Sequence, residues 1–207
     1  MINENEVTKY VQFYSTSLGK GILEQETRFV NERLMNRKKI LSIGCGPALL
    51  EEKIHQLHPD MNIIGLDISK EMIQQAPKSI PVLHGYAQHL EFATNSFDAV
   101  VFVTSLEFIE DHQKAIKETY KVLESKGKIL VLMLNPRSEY FKKKYADKNS
   151  YIRKNIKHKN VREMKRVVSK YFSVENEGYF LGIKKQKLVA TANPLIASLY
   201  TLEGKKL

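Results

Sequence analysis

Two glycines one residue apart, Gly44 and Gly46, and an aspartate twenty-one residues after the second, Asp67, are the groups whose types and spacing point most directly to chemistry. The glycines end the apolar run of ILSIGCGPA, residues 40 to 48. A strand that meets a bend without side chains lets a ligand lie against the peptide groups, because no Cβ intervenes and positive φ is accessible. Asp67 closes a second apolar run, Met61 to Leu66, where a carboxylate can take both hydroxyls of a ribose. Cys45, between the glycines, is expected to pack its thiol into the loop and turn its backbone N–H toward the ligand; with no base nearby in sequence, its thiol is expected to be inert. Pro47 is expected at the first helical position, where its missing N–H costs nothing. The reading is a β-α-β unit ending in an acid, built for a nucleoside-containing cofactor.

The dinucleotide fingerprint requires glycine at the sixth position of G-x-G-x-x-G, and Leu49 stands there. With these residues the chain resembles the class I S-adenosylmethionine-dependent methyltransferases, whose first motif reads apolar-apolar-acid-apolar-G-x-G-x-G. DISKEM, Asp67 to Met72, is similar to that family's ribose-binding turn, and Asn95 to Asn135 to its fourth strand, helix and fifth strand. The resemblance covers roughly residues 10 to 135. It implies an α/β fold: a doubly wound, mostly parallel, seven-stranded Rossmann-like sheet with N-terminal helices and a basic, lid-like insertion after the fifth strand. It implies S-adenosyl-L-methionine as cofactor, held by Gly44, Cys45, Gly46, Asp67 and Ile68. It further implies Met72, Tyr86, Ala87 and Gln88 around the adenine, and Tyr14, in the segment Phe13 to Glu26, closing over the site. Ser42 stands where the family usually has an acid, Ala48 where it has its third glycine, and Tyr86 where many members have an aspartate. These three departures motivate an alternative, a non-catalytic binding or regulatory protein that keeps the fold.

Methyl transfer from a sulfonium depends mainly on aligning nucleophile, carbon and sulfur in a dry pocket. A hydroxyl or protonated amine acceptor also needs a base, and Glu107, His84 and His89 are the candidates by position. Glu107 is the expected catalytic group, three residues beyond the strand end at Thr104. Thr104 and Ser105 should border the pocket, because ligands in such sheets lie outside the carboxyl ends of the strands. The six histidines form no tight metal-ligand cluster, and no metal is expected.

The elements that must position these groups follow from periodicity and punctuation. The 207 residues suit one domain: N-terminal helices over 1–37, a cofactor-binding core over 38–136, and a basic, substrate-facing segment that completes the sheet over 137–207. The helical pattern of residues 6–36 is expected to break at Gly19 and Gly21. A helix over 48–57, a strand over 62–66, a Ser69-capped helix through Ala76 and a short strand over 80–84 complete the first half. Next come a continuous apolar strand over 97–103, an Asp111-capped helix to Glu124, a turn at Lys126 and Gly127, and a strand over 128–134. A late helix over 161–171 and a sixth strand over 172–183 follow; residues 189–200 fit either a strand or a terminal helix.

The net charge of +10 resides in one place: residues 137–170 carry thirteen Lys and Arg against three acids. Tyr140, Phe141, Tyr145 and Tyr151 are interleaved with them. One reading is a lid whose charges are solvated and whose aromatics cover a small, anionic acceptor; the other is a surface for RNA or another macromolecule. The lid, and so a small-molecule substrate, is the expected reading. A lone cysteine excludes an intramolecular disulfide, and no run is apolar and long enough to span a bilayer. The N-terminus MINENEVTKY lacks a signal-peptide core, so a cytoplasmic protein without a membrane partner is expected. Oligomeric state is not legible.

Overall fold

A computed structural model describes residues 4–207; the first three residues of the 1–37 segment lie outside the described residues. Five parallel strands form the first half of the sheet: β1 (Lys39–Ile43), β2 (Asn62–Asp67), β3 (Val82–His84), β4 (Phe97–Val103) and β5 (Leu123–Leu134). Three antiparallel strands complete it: β6 (Phe172–Lys184), β7 (Lys187–Val189) and β8 (Ala197–Lys206). The spatial order is β3-β2-β1-β4-β5-β8-β6-β7. Because β1 lies between β2 and β4, the strand order reverses there and a crevice opens at the carboxyl ends of these strands.

Alternation along the strands supplies both faces. On β5, Ile129, Val131 and Met133 join Ile116 of α5 (His112–Val122) and Met164 and Val167 of α8 (Val161–Val168). Leu130, Leu132 and Leu134 point the other way, to Val30 of α2 (Ser17–Leu34), Leu50 and Ile54 of α3 (Leu49–Leu57) and Phe141 of α6 (Glu139–Ala146). Strands covered on both faces read as unbroken apolar runs, which is why the parallel half was visible in the sequence. The remaining helices are α1 (Glu4–Ser15), α4 (Lys70–Ile73) and α7 (Tyr151–Asn155).

Several expectations are corrected. The sheet has eight strands among the described residues, not seven, because β6 turns back through Lys185 and Gln186, both at positive φ, to pair with β7. Two successive positive φ values make the hairpin turn that suits twisted strands, but Lys-Gln lacks the Asn-Gly signal that would reveal it. The break between α1 and α2 falls at Thr16, whose hydroxyl accepts the Gly19 N–H at 3.1 Å, and both glycines lie inside α2. A Cβ on Gly19 would stand 2.0 Å from the Phe13 carbonyl oxygen, so this glycine permits close packing of the two helices. Lys126 and Gly127 form an irregularity inside β5, where the register with β4 shifts. Ser69 caps α4 as expected, but that helix ends at Ile73; the Asp111-capped α5 ends at Val122. Residues 189–200 supply the start of β8.

Pro47 is not the first helical residue. Ala48 follows it with φ 53°, and α3 begins at Leu49. A left-handed residue with a Cβ costs about 1–2 kcal/mol, and glycine recovers part of that against its own chain entropy. Ala48→Gly is therefore expected to raise unfolding stability by about 0.5–1 kcal/mol. Urea denaturation measures it, and a destabilised variant would show that the alanine methyl, fully buried here, packs better than the backbone is strained.

Candidate functional site

The loop after β1 is pinned from below. Gly44 and Cys45 both donate their N–H to the Leu66 carbonyl, at 2.7 and 3.3 Å, so the Cys45 amide faces β2 rather than a ligand. The Cys45 sulfur packs over Gly65, where an added Cβ would stand 2.6 Å away. Burial, then the charges of Glu51 and Asp67, pushes the thiol well above its usual range, which keeps it a packing group.

The two glycines serve different ends. At Gly44, φ 71°, a Cβ would lie 2.5 Å from that of Ser105, whose hydroxyl donates to the Ile43 carbonyl at 2.6 Å. Gly44 thus locks the ends of β1 and β4 together. At Gly46, φ 56°, a Cβ would meet nothing nearer than the Met72 sulfur and the Tyr10 hydroxyl, each 4.0 Å away. Its open side faces the cleft, between α1 and α4.

Asp67 closes the floor. Its carboxylate accepts the Gly46 N–H at 2.7 Å and the Ser69 N–H at 2.8 Å, and it is 8% exposed. Burial raises its pKa, against the lowering effect of those two N–H groups. Each oxygen keeps a lone pair for a further donor. Beyond Asp67 lies an apolar shelf: Ile68 is 58% and Tyr86 53% exposed, while Met72 and Ala87 are buried beneath. Tyr86 pairs with His89 in an isolated bridge, with half-buried Gln88 in the turn between them. His84 is exposed at the end of β3, its ring edge-on to Tyr86 at 6.1 Å, and His89 is exposed on the far side of the turn.

On the other side of the loop lies a small cavity of about 40 Å³, room for a polar group of a few atoms rather than for a whole small molecule. Tyr10 and Tyr14 of α1, Glu26 of α2, Ser42, Gly44, Cys45, Glu51 and Thr104 are among its walls. Thr104 has φ 48°, an unusual conformation for a β-branched residue and one that clusters at functional sites. The Ser42 hydroxyl donates to Glu51 Oε1 at 2.5 Å. A carboxylate therefore does reach the position where Ser42 replaces an acid, but from α3.

Glu107 sits in a short 3-10 turn, Leu106–Phe108, and is buried. Its Oε1 accepts the Leu134 N–H at 2.8 Å, its Oε2 has no partner among the described residues, and it is not a wall of this cavity. Burial pushes it to about 7 despite that bond. Its carbonyl accepts the Lys157 and His158 N–H groups, 3.0 Å each, and the His158 ring meets His112 at 3.0 Å. The Glu107 region thus fastens the end of the basic segment.

Within that segment Phe141 is buried, Tyr140 and Tyr145 are half-buried and Tyr151 is exposed. Tyr151 touches Phe108, ring centroids 5.4 Å apart, and burial followed by the charges of Asp67, Glu6 and Glu107 pushes its hydroxyl to about 12. Tyr140 is raised by burial and by Glu26. Tyr145 instead takes Arg153 and Lys159 over its ring, each at 4.3 Å, so its faces are committed within the chain. Sequence reasoning missed Tyr10, Glu26 and Glu51. Tyr10 and Glu26 lie at helical spacing within amphipathic segments, and Glu51 in a first helical turn; only tertiary packing turns them to one space. Among the described residues no three metal-ligating side chains come together, and no helix is long and apolar enough to cross a membrane.

Residues 41–131 match the family model described as a methyltransferase domain. A demethylmenaquinone methyltransferase of Thermotoga maritima is 29% identical over 105 residues, 49% of this chain and 46% of that one. A malonyl-[acyl-carrier protein] O-methyltransferase of Legionella pneumophila is 28% identical, over 48% of this chain and 37% of that one. The chain spans less than half the length of these curated relatives. In fold, a crystal structure of an S-adenosylmethionine-dependent methyltransferase from Thermotoga maritima superposes with a TM-score of 0.79, covering 99% of this chain and 98% of that one at 22% identity. The side-chain-free loop and the acid on the adjoining strand both fall within the stretch that matches the methyltransferase-domain model, and the chain as a whole shares its fold with the solved methyltransferase structure.

Proposed function

We propose that the protein transfers a methyl group from S-adenosyl-L-methionine to a small molecule. The observation that carries this reading is the open side of Gly46, a space bounded by the Tyr10 hydroxyl, the Met72 sulfur and the Asp67 carboxylate. A ligand there would rest on Gly46, give its ribose hydroxyls to Asp67, and lay its base over Ile68 and Met72 beside Tyr86, Ala87 and Gln88. When bound, the cofactor supplies a methyl group already attached to its leaving group. The chain then has to bind, orient and keep water out. Tyr10 and Tyr14 line the cavity beside the loop and favour exclusion of water.

A small acceptor is supported by the packing of Tyr140, Phe141 and Tyr145 against the fold rather than into solvent, and by the small or carrier-bound substrates in the relatives' names. No contact favours RNA: Tyr145, the most cation-flanked of the aromatics, already stacks on Phe141 at 5.5 Å and carries two cations. Calorimetric titration with S-adenosylmethionine and S-adenosylhomocysteine tests the reading. Micromolar binding is expected, and Asp67→Ala should weaken it at least about 100-fold, near 2.7 kcal/mol. No heat at sub-millimolar cofactor would favour the non-catalytic alternative instead.

A further inference from the structure

We propose that Glu26 and Glu51 form a subsite for an ammonium group. The proposal rests on the cofactor reading above and extends it to the chemistry of the neighbouring cavity. Both acids line that cavity, one from α2 and one from α3, and they are only 5% and 3% exposed. Glu51 Oε1 is occupied by the Ser42 hydroxyl, but Oε2 is buried without a partner among the described residues. Among the described residues, no lysine, arginine or histidine is in the walls. A buried carboxylate oxygen with no donor is costly, so the cavity has an acceptor to satisfy and, among the described residues, no side-chain cation in its walls to satisfy it.

The matching ligand is a cation rich in donors. An ammonium has three N–H groups and no acceptor, and the rings of Tyr10 and Tyr14, 5.0 Å apart in the same wall, offer π faces to a positive charge. A divalent metal fits poorly, because it takes six or more oxygens and, among the described residues, no third acid joins this pair. Burial first, then the charge of Glu51, pushes Glu26 to about 8. A cation in the cavity would hold both groups ionised.

Two molecules could bring an ammonium here: the cofactor, at its amino-acid end, or the methyl acceptor. Calorimetry on the wild type, Glu26→Gln and Glu51→Gln, with S-adenosylhomocysteine, its deaminated analogue and 5′-methylthioadenosine, examines the first. If the cofactor is the source, the wild type prefers the homocysteine form over the deaminated one at least tenfold, and both variants erase that preference. For the second, protein saturated with S-adenosylhomocysteine is titrated with primary amines and their isosteric alcohols, such as 2-phenylethylamine and 2-phenylethanol. If the acceptor is the source, amines bind at least tenfold better than alcohols, and Glu26→Gln removes the difference. Indifference to the amino group in both titrations overturns the subsite, and so does a preference that survives both substitutions. The wild-type comparisons stand even if a variant fails to fold. Retained 5′-methylthioadenosine binding would then leave the cofactor reading intact, whereas failure of all three adenosine ligands to bind would overturn that reading first.

Discussion

Gly46→Ala is expected to abolish measurable binding of S-adenosylhomocysteine while leaving the protein folded. The new methyl would make ordinary van der Waals contact, 4.0 Å from the Met72 sulfur and the Tyr10 hydroxyl, so packing does not resist it. The cost to the fold is the left-handed backbone, about 1–2 kcal/mol. A ligand resting on the loop, however, would meet that methyl at van der Waals contact or closer. A loss of at least about 100-fold in affinity corresponds to only about 2.7 kcal/mol, well within what a displaced ligand forfeits. Gly44→Ala is the control. Its Cβ would stand 2.5 Å from that of Ser105, which cannot swing aside because it is attached to the backbone. Overpacking of about 1–3 kcal/mol adds to the conformational strain there, so stability falls by about 2–5 kcal/mol. Titration calorimetry and urea denaturation on both variants separate the roles. If Gly46→Ala bound cofactor like the wild type, the ligand would not lie on this loop.

The contrast between the glycines marks how far the sequence could be read. Their spacing revealed a bend at the end of a strand, because glycine takes positive φ with the least strain. Which glycine faces a ligand and which faces Ser105 depends on β4, sixty residues away, and no local pattern carries that. Likewise the absence of an acid at Ser42 was visible, but not its replacement by Glu51, since that bond joins a strand to a helix. The parallel strands were legible as continuous apolar runs. The hairpin to β7 was not, because Lys185 and Gln186 are poor predictors of the left-handed conformation they adopt. Glu107 was legible as a carboxylate at the right end of the sheet, but its bond to the Leu134 N–H belongs to tertiary structure.

Stability should fall as pH rises from 5 to 8.5, and Glu26→Gln should remove much of that fall. Burial, with Glu51's charge behind it, pushes Glu26 to about 8, and burial pushes Glu51 and Glu107 to about 7. In the unfolded chain each titrates near 4.3. Between those values the folded state binds more protons than the unfolded one, so the stability change has the sign opposite to that of a salt-bridged carboxylate. The contribution is fully present below about 4 and is lost as pH climbs to the folded values. For Glu26 alone the shift sets a ceiling of about 5 kcal/mol, and its coupling to Glu51 makes about 2–4 kcal/mol the expected gain of the glutamine variant at pH 8.5. In a chain of this length that is about 5–15 °C in Tm. At pH 5, just above the unfolded value, the gain should shrink to about 1 kcal/mol. Calorimetric melts at pH 5, 6, 7 and 8.5 decide it, and parallel curves would mean that Glu26 ionises freely in the folded protein. A buried acid that weakens its own fold at neutral pH is more easily understood in a binding cavity than in a core. If the cavity takes a cation, saturating ligand should hold the acids ionised in the folded state too and flatten the wild-type curve toward that of the variant.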